Sequence, residues 1–204
     1  MKQFFAKILA MGLSKLKTKV SVAEYLETEK HSPVKREFVE GEVYAMAGGS
    51  DNHNRIIGEL LAVLMAHLRN SKCEVFFTDI KVRVTNHVYY YPDILVSCEE
   101  EPEHPYFRNR PILIIEVTSP STLRVDRSEK LLYYLQIPSL LEYVIVDQQT
   151  MNVEVHRRQT NGGWITYSFN ESSDVVELNS VQMTIPLPEI YRRVQFQKDA
   201  DRED

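Results

Sequence analysis

Long apolar runs are missing from this chain. No uncharged stretch nears the roughly 18 to 20 apolar residues needed to cross a bilayer, and mean hydropathy is -0.31, so no membrane-spanning segment is expected. Cysteine is scarce. Cys73 and Cys98 are too few for a disulfide framework and too far apart for a CxxC metal or redox motif, which points to a reducing, cytoplasmic setting. With only 7 Gly and 9 Pro beside 43% hydrophobic and 26% charged residues, collagen-like and disordered classes are excluded. The six histidines form no H-x-x-x-H or comparable pair, which argues against zinc. A surplus of positive charge is also lacking. Lys2, Lys7, Lys15, Lys17 and Lys19 take five of the 24 basic residues, leaving 19 against 29 acidic ones, a net of -10 beyond residue 19. A domain that tracks DNA through many phosphates usually carries a basic face, and composition gives no support for one.

The 204 residues present suit one domain with a sizeable core. Residues 1–19 form a basic extension outside the core, with apolar side chains at roughly helical spacing; a signal peptide and a membrane-surface helix are the alternatives. The domain proper is expected over 20–192, and 193–204 as a polar tail. Ser21 with Glu24 is a capping box opening a short helix to about Lys30. Residues 36–47 suggest a hairpin turning near Gly41, and Gly48-Gly49-Ser50-Asp51 a break that caps the next element. Ile57, Leu60, Leu61, Leu64 and Leu68 mark one face of a helix from His53. Strands are expected over 75–84, 88–97, 112–117 and 142–147, with a helix over 123–136 between the last two. Short antiparallel strands should follow at 152–156, 164–169 and 175–185. The class is α/β, a mixed central sheet flanked by helices with additional C-terminal antiparallel strands.

Two core strands carry carboxylates that would be costly if buried without a partner. Asp93 follows Pro92 and precedes Ile94-Leu95-Val96; Glu116 ends the aliphatic run Ile112–Ile115. Each taken alone could pair with an arginine or cap a loop. Together, on neighbouring strands, they could converge on one hard divalent cation, which would acidify a bound water and neutralise phosphoryl charge.

Pro92-Asp93, then Ile114-Ile115-Glu116-Val117-Thr118-Ser119-Pro120-Ser121-Thr122, then Asp126 through Lys130 and Glu142 through Asp147, resemble the Uma-type endonucleases. These are a bacterial branch of the PD-(D/E)xK superfamily. The resemblance starts at about Val20, and Glu37 to Glu42 and the Gly-Gly-Ser before His53 also fit it. It implies a restriction-endonuclease-like fold and a magnesium-dependent phosphodiesterase acting on DNA, with manganese as the alternative ion and Asp93 and Glu116 as metal ligands. The superfamily's lysine belongs two residues after the glutamate, where this chain has Thr118. The Uma-type branch moves it to the following helix, which points to Lys130 as the group that orients water or stabilises the transition state. The competing account is a plain i, i+4 pair between Asp126 and Lys130.

Weaker candidates complete the set. Glu42 could add a carboxylate near the metal, and His53 could contact a water or phosphate. Asp79 and Lys81, on one strand face, could flank the site, or form a solvated edge. Ser119 and Ser121 fit a helix-capping turn and not nucleophiles. A cytoplasmic endonuclease implies DNA as partner, and a homodimer is expected. The rival functions are a nuclease-fold binding or regulatory module and a structural homo-oligomer joined through its C-terminal strands. Two geometric expectations follow: Asp93 and Glu116 on one side of the sheet, and a positive rim drawn from Lys81, Arg83, Arg108, Arg110, Arg124, Arg127 and Lys130.

Overall fold

The computed structural model describes residues 19–119 and 125–196. The basic extension therefore lies almost wholly outside the described residues, as do the Pro120–Thr122 turn with Ser121, the helix start at 123–124 with Arg124, and most of the C-terminal tail. Among the described residues no helix is long and apolar enough to cross a membrane.

Helix α1 (Val22–Glu29) is capped as its sequence suggests, Ser21 Oγ accepting the Glu24 amide at 3.2 Å. Strands β1 (Arg36–Val39) and β2 (Glu42–Ala45) form the expected hairpin. Its two-residue turn places Glu40 at φ 50° and Gly41 at φ 91°, the left-handed pair that suits the twist of the flanking strands. Helix α2 (Asp51–Leu68) starts from Ser50 and buries Ile56, Ile57, Leu60, Leu64 and Leu68.

The next two expected strands are each divided. Residues 74–85 form β3 (Glu74–Phe77) and β4 (Lys81–Thr85); residues 88–97 form β5 (Val88–Tyr90) and β6 (Ile94–Ser97). In both cases the halves join different sheets. The chain changes sheet at Thr78, whose φ is 48°, and again at Pro92-Asp93, and the two crossings touch where the Thr78 amide donates to the Asp93 carbonyl at 3.2 Å. Local alternation of side chains is the same on either side of such a crossing, so sequence pattern alone ran through it.

After β7 (Phe107–Arg108), the buried strand β8 (Pro111–Thr118) is the centre of the fold. A single π turn (Asp126–Lys130) and α3 (Leu131–Tyr134) lead to β9 (Glu142–Asp147), which lies parallel to β8. The chain is helical from Val125 through Tyr134, with Leu132 exposed and Tyr134 fully buried. Strands β10 (Val153–Arg158) and β11 (Trp164–Phe169) extend the sheet. The last expected strand is two, β12 (Val175–Leu178) and β13 (Met183–Pro186), before the short α4 (Leu187–Ile190).

The main sheet runs β11-β10-β9-β8-β6-β3, and the second β2-β1-β5-β4-β7. Period-two alternation on β8 sends Leu113, Ile115 and Val117 into a core shared with α2, β12, β13 and α4. Ile114 faces the other way, into a core where Leu95, Tyr143 and Ile145 of the main sheet meet Val82, Val88 and Tyr90 of the second sheet and Tyr134 of α3. Helix α1 covers the far side of the second sheet, where Tyr25 packs on Phe38, Tyr89 and Phe107. The order of layers is thus α2, main sheet, second sheet, α1.

Cys73 and Cys98 are not free thiols. They form a disulfide across a separation of 25 residues, beside the Glu74–Ser97 pair of β3 and β6. A reducing compartment does not usually maintain such a bond, so the ground for expecting one is removed.

Candidate active site

On β6, Ile94 and Val96 face the α2 side of the sheet and Leu95 the opposite side, so Asp93 falls on Leu95's side. On β8 the same alternation places Glu116 with Ile114. The strands are antiparallel with Ile94 opposite Ile115, and Asp93, just before β6, reaches β8 beside Glu116 through the Val117 amide. Both line one cavity of about 910 Å³ between the main sheet, the β1–β2 hairpin and the N-terminus of α2. The expectation that the two carboxylates share a side of the sheet is met.

Each carboxylate is held by one of its oxygens. Asp93 Oδ2 accepts the Val117 amide at 2.7 Å and lies 3.2 Å from His53 Nε2. Glu116 Oε1 accepts the Tyr134 hydroxyl at 2.8 Å and the Lys130 ammonium at 3.1 Å. Among the described residues, Asp93 Oδ1 and Glu116 Oε2 take no hydrogen bond.

Lys130 reaches the site from the π turn. Its Nζ lies 3.1 Å from Glu116, 3.1 Å from Glu37 and 3.6 Å from Asp126, and 5.4 Å from the centre of the Tyr90 ring. The i, i+4 contact with Asp126 is therefore real but is the longest of three. Thr118, where the superfamily carries its lysine, is buried with its hydroxyl on the Val146 carbonyl and does not line the cavity.

Three acids surround one buried ammonium, and the proton affinities follow from that imbalance. Burial opposes the charge on Lys130, but Glu116, Glu37 and Asp126 outweigh it and hold the ammonium well above its usual pKa. Burial pushes Glu116 well up as well, Asp93, Asp126 and Glu37 adding to the rise while Lys130 opposes it. For His53, burial disfavours the imidazolium, yet Asp93 and Asp126 prevail and raise its pKa.

The remaining expected residues divide plainly. His53 lines the cavity. Glu42 does not: the hairpin pairs it with Val39 on the face that carries Glu37 and Tyr44, but at the turn end, and it accepts the Tyr44 hydroxyl at 2.7 Å. Asp79 is not on a strand and ion-pairs with Lys35 at 2.6 Å; Lys81 is buried and donates to the Tyr91 hydroxyl at 3.0 Å. Neither lines the cavity. Glu37, Tyr134 and Tyr90 were missed, and Asp126 was read only as the i, i+4 partner of Lys130. Alternation in the hairpin puts Glu37 and Glu42 on one face, and the packing of Phe38 against Tyr25 on the other face turns Glu37 inward.

The expected positive rim is absent among the described residues. Arg83 pairs with Glu103 and Arg127 with Glu154, while Arg108 is buried against Phe76. The cations lining the cavity are Arg55 and Lys130, against six acids: Glu37, Asp51, Asp93, Glu116, Asp126 and Glu129.

Carboxylate oxygens suit a hard divalent cation, and one uncommitted oxygen from each of Asp93 and Glu116 fits the way magnesium is usually held, by one or two carboxylates with waters and substrate oxygens completing the shell. No group of three or more His, Cys, Asp or Glu among the described residues is arranged to hold a metal by itself.

A mixed sheet that presents a glutamate from one strand and an aspartate from the start of its neighbour to one cleft, with a lysine against the glutamate and a helix opening onto it, is the arrangement of a nuclease-fold protein. The chain belongs to the Uma2 family, described as "Putative restriction endonuclease", whose match spans residues 22–188. Two Synechocystis proteins are related to it. The uncharacterized protein slr1290 is 33% identical over 180 residues, covering 87% of this chain and 94% of its own. The uncharacterized protein sll1609 is 33% identical over 165 residues, covering 76% and 91%. The fold is similar to a crystal structure from Anabaena variabilis described as a "putative nuclease belonging to DUF820". The TM-score is 0.70 at 18% identity, over 86% of this chain and 99% of that one.

Proposed function

We propose that the protein is a divalent-metal-dependent endonuclease that hydrolyses DNA phosphodiester bonds, with Asp93 and Glu116 holding magnesium or manganese. The observation that carries this reading is the placement of Asp93, just before β6, and Glu116 of β8 on one cavity wall, with the Lys130 ammonium 3.1 Å from Glu116. A cation bound there would supply a Lewis acid and an acidified water. Each residue's contribution then follows from its contacts. The Val117 amide and His53 fix the Asp93 carboxylate, and Tyr134 fixes Glu116. Lys130, steadied by Glu37 and Asp126, holds a positive charge at the cavity wall where it can orient water or screen a phosphoryl oxygen. The surplus of acids also supports metal dependence, since an uncompensated anionic cleft repels a phosphodiester.

A second reading, a nuclease-fold module that binds without turnover, is favoured by the dispersed cations around the cleft. Cleavage of single-stranded, duplex and branched DNA with magnesium or manganese, with Asp93→Ala and Glu116→Gln as controls, separates the two. Metal-dependent cleavage lost in both variants supports the nuclease. Salt-sensitive binding without cleavage of any substrate supports the module. If the protein neither binds nor cleaves, both readings fail.

A further inference from the structure

Strand β11 is an edge of the main sheet, and it is the longer of that sheet's two edge strands. Its sequence, Trp164-Ile165-Thr166-Tyr167-Ser168-Phe169, has no charge and no proline, and its four central residues are exposed. Edge strands are ordinarily blunted by lysine, proline, bulges or a covering segment. The other edge, β3, is short, carries Glu74 and adjoins the Cys73–Cys98 disulfide.

The hydrogen-bond pattern shows which groups of β11 face outward. The Gln159 amide donates to the Gly163 carbonyl on the β11 side, while the Arg158 amide donates to Leu141 on the β9 side. Odd-numbered residues of β10 therefore bond to β11, and their partners Ile165, Tyr167 and Phe169 direct their backbone groups inward. The amides and carbonyls of Trp164, Thr166 and Ser168 point away from the sheet.

We propose that two copies of the chain pair through β11, antiparallel about a two-fold axis, with Thr166 opposite Thr166 and Ile165 opposite Tyr167 of the second copy. In that register the outward groups of Trp164, Thr166 and Ser168 meet the outward groups of Ser168, Thr166 and Trp164, giving about six backbone hydrogen bonds. Ile165 and Tyr167 fall at the more closely spaced, non-hydrogen-bonded positions, where cross-strand apolar contact is strongest. Both side chains are exposed in the single chain, at 46% and 37%. Charge runs the same way. Arg158, committed to the carbonyls of Leu135, Ile137 and Leu140, keeps its positive charge at one end of the edge, and Glu171 and Asp174 follow the other end. An antiparallel copy sets unlike ends together. A self-complementary patch of this kind is what a two-fold interface requires.

The test is independent of nuclease activity. Sedimentation velocity and hydrogen exchange are measured on the full chain over a concentration series. A particle of about twice the 23.8 kDa chain mass is expected, with the Trp164, Thr166 and Ser168 amides protected as dimer forms. Thr166→Pro removes an outward donor and leaves the β10 ladder intact, and should yield monomer. Ile165→Glu, whose carboxylate lies beside Arg157 in the folded chain, should raise the dimer Kd at least about tenfold. If Thr166→Pro does not fold, Ile165→Glu decides. A wild type that stays monomeric at about 100 µM, or a dimer unaffected by the folded variants, overturns the proposal.

Discussion

Replacing Lys130 by methionine tests the site at its most constrained point. Sequence reasoning expects this change to lower turnover by about 10² to 10³ and leave the fold intact. The geometry predicts otherwise. Lys130 and its three carboxylate partners Glu116, Glu37 and Asp126 are all largely buried, with contacts of 3.1, 3.1 and 3.6 Å. At an effective dielectric near 20, each such contact is worth about 5 kcal/mol before desolvation, which costs several kcal/mol per ion. The net outcome of deleting one partner of a buried pair is a loss of about 3 to 5 kcal/mol, because the acids left behind repel one another without compensation. For a domain of this size that lowers the melting temperature by roughly 10 °C. Urea unfolding of wild type and Lys130→Met at pH 7 measures it. Two rescues should work: Lys130→Met with Glu116→Gln should recover part of the loss, and so should lowering the pH, since Glu116 already binds its proton well above the ordinary carboxylate range. Had the cluster been solvated, Lys130→Met would unfold within about 0.5 kcal/mol of wild type with the same pH dependence, and that result would refute the reasoning.

Three further outcomes are expected. Asp93→Ala should weaken magnesium binding, read by calorimetry without DNA, whereas Glu42→Gln should leave it unchanged because Glu42 stands at the turn end of its hairpin. Breaking the Cys73–Cys98 disulfide by Cys73→Ser with Cys98→Ser should cost about 3.5 kcal/mol from the loop of 25 residues it closes, visible as a fall in melting temperature on the order of 10 °C. His156, whose pKa is lowered chiefly by burial, is neutral in the fold and takes up a proton more readily when unfolded. Its contribution to stability is therefore present above the unfolded value of about 6.5 and lost as pH falls toward the lowered native value. The pH dependence of unfolding in that window should flatten in His156→Gln; an unchanged slope would place the titration elsewhere.

The local devices of this chain are legible in its sequence because each depends on near neighbours: the Ser21 cap, the apolar stripe of α2, the turn at Gly41 and the aliphatic run of β8. Asp93 and Glu116 were legible too, since a carboxylate within an apolar strand is costly wherever that strand is buried. Sheet membership was not. Residues 74–85 and 88–97 alternate as single strands would, and only long-range pairing sends their halves to different sheets and sets Asp93 at the second crossing. The choice of Glu37 over Glu42 also belongs to the tertiary structure: both project from one face of the hairpin, but only the end carrying Glu37 meets Lys130. The same holds for charge. Composition counts acids and bases without saying which are paired, and packing joins Arg83 to Glu103 and Arg127 to Glu154 while it gathers three carboxylates around Lys130. A charge's effect depends on distance and burial, and both are fixed only when distant segments of the chain meet.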